Sequence, residues 1–272
     1  MIRFATVLAA ALMLAPAVAP QPPAPEAPPR NPFDPSEIEV AFAPGGAGMP
    51  DVDVELILMA DVSRSMSPEE MRLQREGYVA ALRSPEVAAA VAQGAHGRIA
   101  LAYAEFAGDT GQVKAVDWTV VADAAGLAAF AERLAAAPTR LMMEGCVACG
   151  YGTSVGGAIA YAHGEIAGNG LTAERRVIDV SGDGDDNSAA VKAGPARDLA
   201  VADGITVNGL PVITDSNTTD LEGWYRDHVI GGAGAFLVAV DGFGQFGEAV
   251  RRKLVLEIAG RPVEQRFAGV RQ

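Results

Sequence analysis

Two apolar periods alternate along this chain. Short β-type runs, "VELILMA" (54–60), "GRIALAYAEFA" (97–107), "VKAVDWTVV" (113–121), "RRVIDVS" (175–181), "ITVNGLPVI" (205–213) and "AFLVAV" (235–240), are separated by Ala-rich segments with helical spacing. The spacing predicts helices from Pro68 to about Ser84 and over 123–136, 154–167, 190–203, 219–229 and 243–258. Ser67 and Pro68 suit the N-cap and first helical position of the first helix, and Glu70 completes a capping box. Apolar strands alternating with helices specify an α/β fold, a doubly wound, mostly parallel sheet with helices on both faces. Because "VKAVDWTVV" follows the preceding strand after only "GDTGQ", it is expected as one antiparallel edge strand.

The ends of the chain read differently. "MIRFATVLAAALMLAPAVAPQ" has Arg3, an apolar stretch from Phe4 to Leu14 and small residues at Ala15, Ala17 and Ala19, the pattern of a signal peptide over residues 1–19 with a cut after Ala19 or Ala17. Residues 20–50 form a Pro-rich leader in which "IEVAF" is a short strand candidate, 51–260 the folded domain and 261–272 a tail. No later segment has the length and apolarity of a transmembrane helix, and no cysteine lies near the signal region to carry a lipoprotein anchor. A periplasmic or secreted protein is the expectation.

Composition narrows the partners. A formal net charge of −13 repels nucleic acid and anionic membrane surfaces and favours cations. Half the residues are hydrophobic and only 6% aromatic, so Ala, Val, Leu and Gly must fill the core.

The candidate chemistry begins where the first strand stops. In "LILMADVSRSMSPEE" an apolar run ends in Asp61, Ser63 and Ser65, oxygen donors at alternate positions. Loops at the carboxyl ends of parallel strands are where this architecture binds ligands. A hard divalent cation such as Mg²⁺ takes about six oxygens, so a turn after Ala60 that gathers these side chains makes half a site. Thr153, at the start of the helix in "GYGTSVGG", and Asp183, just after the strand in "VIDVSGDGDDN", are placed to add to it.

"DVSRS" is the DxSxS pattern of the von Willebrand factor type A (VWA) domain, and Thr153 and Asp183 follow in the order of that family's metal-ion-dependent adhesion site, or MIDAS. The resemblance runs from about residue 51 to 260 and is nearest to a bacterial secreted subfamily of unknown function, domain of unknown function 1194. It implies that Ser63, Ser65 and Thr153 ligate Mg²⁺ (or Mn²⁺ or Ca²⁺), that Asp61 and Asp183 hold it directly or through water, and that a protein partner supplies a carboxylate. One departure stands out: "SGDG" replaces the family's common "TDG", which puts Gly182 in front of Asp183.

Other motifs compete. "GTSVG" around Ser154, with Asp183 and His228 following, matches the order of a serine hydrolase, although no β-branched strand runs into the serine and no HGGG-type loop precedes it. A structural envelope protein with an empty site is a third reading. Cys146 and Cys149 predict a local disulfide in an oxidising compartment; zinc needs two further ligands, and the three histidines are scattered. Asp185, Asp186 and Asn187 are either an acidic rim of the main site or a solvated turn. "DGDDN" lacks the sixth-position glycine and twelfth-position glutamate of an EF-hand. Asp179, inside an apolar strand, needs a partner that the sequence does not name. The reading as a whole is a non-enzymatic, metal-dependent protein-binding module.

Overall fold

All ten residues of β1 (Val52–Asp61) are buried, as a strand covered on both faces requires. Alternate side chains go to opposite sides. Leu56 and Leu58 enter one apolar cluster, while Ile57 and Met59 enter the other. The computed structural model describes residues 51–138, 152–187, 190–215, 217 and 219–260.

The remaining strands are β2 (Ile99–Phe106), β3 (Val113–Val121), β4 (Ala173–Gly182), β5 (Ile205–Ile213) and β6 (Val240–Asp241). They form one sheet in the order β3-β2-β1-β4-β5-β6. Every pairing is parallel except β2 with β3, which is the antiparallel edge that the short link predicts. Helices α1 (Pro68–Leu82), α2 (Pro85–Ala92), α3 (Ala124–Ala136) and α7 (Phe246–Ala259) pack on the first cluster. On the second lie α4 (Val155–Gly168), α5 (Ala193–Ala202) and α6 (Leu221–His228). Among the described residues, no helix is long and apolar enough to cross a membrane.

From β1 the chain steps outward to β2 and β3, then crosses back to place β4 on the other side of β1. The loops after β1 and β4 therefore diverge, and the crevice between them is the sheet's topological switch point. In register, Ala60 sits opposite Ser181, so Asp61 comes level with Gly182 and Asp183 follows one residue beyond.

Two expectations are revised. After Leu82 the chain caps a separate helix, α2, with the Ser84 hydroxyl accepting from Val87 N–H and Pro85 in the first turn. "AFLVAV" yields only the two-residue β6 plus a bridge between Leu237 and Gly209. There the Asn208 side chain accepts the Phe236 N–H at 3.0 Å, so a side chain occupies a position that a regular strand would give to backbone. The capping box on α1 forms as expected, Ser67 and Glu70 bonding each other's N–H groups at 3.2 and 2.8 Å.

Asp179 finds its partner in α7. Lys253 Nζ is 2.5 Å from Asp179 Oδ1 and 2.6 Å from Glu257 Oε1, and all three side chains are essentially out of contact with water. Asn208 donates to the same Glu257 oxygen at 2.9 Å.

Candidate metal centre

The turn after β1 is held by its own first side chain. Asp61 Oδ1 accepts the Ser63 N–H at 2.7 Å, and Gln74 of α1 donates to the Asp61 carbonyl at 2.8 Å. With the backbone so fixed, Ser63 and Ser65 bring their hydroxyls to 2.9 Å from each other. Thr153 donates to Ser63 Oγ at 3.0 Å, and Ser65 donates to Asp183 Oδ1 at 2.7 Å. The structure thus brings together Asp61, Ser63, Ser65, Thr153 and Asp183 from three separate loops. Asp61, Ser63, Thr153 and Asp183 are buried, whereas Ser65 is exposed, so the cluster opens outward at Ser65.

The cluster is a row of oxygens spaced 2.7–3.0 Å apart. Neighbouring ligands of an octahedral ion with bonds of roughly 2.0–2.1 Å lie about 2.9 Å from one another, so the spacing suits a small hard cation. Among the described residues, Asp61 Oδ2 is buried without a hydrogen-bond partner. An orphaned carboxylate oxygen in the interior is costly and calls for a positive group. Burial first, and then the negative charge of Asp183, push the Asp61 carboxyl up to about 7, with Ser63 opposing. Burial raises Asp183 too, opposed by the hydrogen bond from Ser65. Neither carboxylate has a cation among the groups that perturb it. Among the described residues, no group of three or more His, Cys, Asp and Glu side chains could hold a metal ion, so this site depends on its hydroxyls.

The three residues expected at the rim do three different things. Asp186 turns inward and accepts from Gly156 N–H at 3.1 Å and Ala193 N–H at 2.7 Å, tying the starts of α4 and α5 together. Asn187 clamps Thr153, accepting its N–H at 2.7 Å and donating its own N–H to the Thr153 carbonyl at 3.1 Å. Asp185 accepts from Thr219 at 3.4 Å and stays partly exposed. Cys146 and Cys149 lie outside the described residues.

Ser154 caps α4. Its hydroxyl accepts from Gly157 N–H at 3.2 Å and donates to Asp109 at 3.1 Å, and the residue is fully buried. The serine of "GTSVG" is therefore engaged with a helix start and an aspartate rather than with His228, and Asp183 is engaged with Ser65.

Sequence reasoning missed Gln74, Asp109, Asn217 and Tyr225. Asn217 donates to the Asp183 carbonyl at 2.6 Å from the loop after β5. Gln74 had a signal, a polar residue at a core position of α1, where it also accepts from Ser181 at 3.3 Å. The glycine of "SGDG" has a steric cause. A Cβ on Gly182 would sit 2.8 Å from Asp61 Oδ2 and 3.2 Å from the Tyr225 hydroxyl.

The family profile described as "Protein of unknown function (DUF1194)" matches residues 51–262. No curated protein matches the chain. Among solved structures, proximal thread matrix protein 1 from the mussel byssus aligns with a TM-score of 0.52 at 14% identity, over 77% of this chain and 48% of its own. This chain thus spans about half the length of that protein, of which another structure has a zinc-occupied MIDAS motif. The vWF domain of the type V pili tip protein Mfa5 from Porphyromonas gingivalis aligns with a TM-score of 0.50 at 10% identity, over 81% of this chain and 99% of that domain. The pilus adhesin SpaC from Lactobacillus rhamnosus GG gives 0.50 at 12% identity, over 76% of this chain and 31% of its own. Likeness at these identities speaks to the fold. Profile, sheet order and structural matches agree: the chain belongs to the DUF1194 family of proteins of unknown function, and its domain has a VWA-like fold.

Proposed function

We propose that the domain is an extracytoplasmic, non-enzymatic binding module that holds a divalent cation, Mg²⁺ or else Mn²⁺ or Ca²⁺, among Asp61, Ser63, Ser65, Thr153 and Asp183. Through it the domain binds a carboxylate on a protein partner. The observation that carries this reading is the meeting of two carboxylates and three hydroxyls with no protein cation among the groups acting on the carboxylates. When bound, the ion supplies a positive site that a partner's carboxylate completes, against the repulsion of a strongly acidic domain.

The chain's residues divide the work. Ser63, Ser65 and Thr153 offer neutral oxygens, so the site keeps positive charge to share with a ligand. Asp61 and Asp183 supply the negative charge that keeps a cation near the starts of α1 and α4, whose dipoles oppose it. Asn187 and Asn217 hold the Thr153 and Asp183 loops. The solved structures with pilus and byssus names, and the signal-like first residues, support an extracytoplasmic setting. The commitment of Ser154 to Asp109 and Gly157 argues against the hydrolase reading.

Calorimetric titration of Mg²⁺ and Mn²⁺ into the wild-type chain and Ser63→Ala/Ser65→Ala tests this. The expected result is saturable binding by the wild type and a loss of at least tenfold in affinity in the variant. Equal affinity in both overturns the assignment.

A further inference from the structure

Tyr225 lies on α6, wholly buried, and among the described residues its hydroxyl has no hydrogen-bond partner. Among the described residues, Asp61 Oδ2 is likewise buried and lacks a hydrogen-bond partner. Both flank the bare backbone of Gly182: the point that a Cβ would take there is 3.2 Å from the phenol oxygen and 2.8 Å from the carboxylate oxygen. The two atoms are therefore at most 6.0 Å apart, a span that a small rotation or one bridging water closes.

Packing does not account for the hydroxyl. A phenylalanine fills the same space without the cost of burying an unpartnered O–H. Nor does the sheet accommodate the ring cheaply. It crosses two strand glycines, Gly182 of β4 and Gly209 of β5, and a Cβ on Gly209 would meet Tyr225 Cδ1 at 2.7 Å. Glycine inside a strand weakens it and often marks close approach of another group. Gly209 makes room for the ring, and Gly182 makes room for Asp61 and the phenol oxygen together.

We infer that Tyr225 is a positioning residue for Asp61: its O–H holds Oδ2, directly or through one water, while the Ser63 N–H holds Oδ1, so the carboxylate is oriented from both oxygens toward the cation. This rests on the metal-site reading given above. The phenol stays a donor, since burial first and the surrounding carboxylates next, led by Asp61, keep it protonated far above its ordinary range. Groups that orient a metal ligand in this way commonly change affinity by about 10–100-fold when removed.

The test is Tyr225→Phe in the full chain, read three ways: Mn²⁺ affinity by calorimetry, unfolding midpoint after EDTA treatment, and the tyrosine ultraviolet difference spectrum on adding Mn²⁺. The inference expects affinity to fall about tenfold or more. It expects the loss of affinity to exceed any change in the metal-free midpoint, and a tyrosine difference band present in wild type to be absent from the variant. A purely structural role predicts the reverse, a lowered midpoint and unchanged affinity. Wild-type binding with variant affinity within twofold, or an unchanged difference band, overturns the role of Tyr225 alone. A wild-type chain that takes up no Mn²⁺ overturns this inference together with the metal site. A variant too unstable to purify also overturns it, because the unpartnered hydroxyl is then structural.

Discussion

Two pairs of buried carboxylates lie along this sheet and the helix packed on it, and they meet different partners. Asp179 on β4 and Glu257 on α7 share Lys253, a cation built into the chain and buried with them. Asp61 and Asp183, at the ends of β1 and β4, are met by hydroxyls and backbone N–H groups, and among the described residues no cation figures in the groups that perturb them. Interior carboxylates need compensation. Where the fold supplies it, the cluster is a brace between α7 and the sheet; where the fold withholds it, the cluster is fitted to receive a cation from outside.

Breaking the first pair should have the largest effect. Lys253→Met leaves two buried carboxylates without their cation, and about 3–5 kcal/mol of stability should be lost in urea unfolding. The triple change Lys253→Met/Asp179→Leu/Glu257→Leu should recover most of that loss, because no charge remains to be compensated. If the single change is harmless, the brace is not what holds α7.

The second cluster should answer with the opposite sign. Asp61 is held at about 7 against an ordinary value of 3.8. The folded, metal-free chain therefore keeps a proton that the unfolded chain releases, and its stability should fall as pH rises from about 4 to about 7, then level off. Asp61→Asn should stabilise the EDTA-treated chain at pH 8, by up to about 4 kcal/mol at 1.36 kcal/mol for each pH unit that the carboxyl is displaced. Saturating Mg²⁺ should remove the part of the wild-type pH dependence that Asp61 contributes, leaving the part that comes from the buried Glu257, whose carboxyl burial also pushes up to about 7. A destabilised Asp61→Asn chain would contradict the contrast between the two clusters.

The smallest expected effect is at Asn217, whose side chain donates to the Asp183 carbonyl and accepts from Thr214 N–H. Asn217→Ala should weaken Mn²⁺ binding about tenfold, in the range for residues that support a metal ligand, with little change in the midpoint.

How much of this was legible depended on how local the cause was. Asp61, Ser63, Ser65, Thr153 and Asp183 stood out because oxygen-bearing side chains close apolar strands or open a helix, and the fold brings them together as their order implied. The antiparallel β3 followed from the short link before it. Asp179 announced a need for a partner without naming it, since Lys253 and Glu257 lie more than 70 residues further along the chain and only tertiary packing brings them to it. Tyr225 gave no local signal either; its place is set by α6 crossing two glycines on strands that the sequence keeps far apart. The short β6 was over-read because "AFLVAV" has a strand's composition, and the Asn208 side chain that replaces part of its ladder comes from another strand.

The central claim, that this crevice is built for an external cation, is tested most directly by a crystal structure of the domain grown with Mn²⁺ and measured at an anomalous-scattering wavelength. The account predicts one strong anomalous peak bounded by Asp61, Ser63, Ser65, Thr153 and Asp183, absent from crystals of Ser63→Ala/Ser65→Ala. A Mn²⁺-containing crystal with no peak in that crevice, or with its metal bound elsewhere, would contradict it.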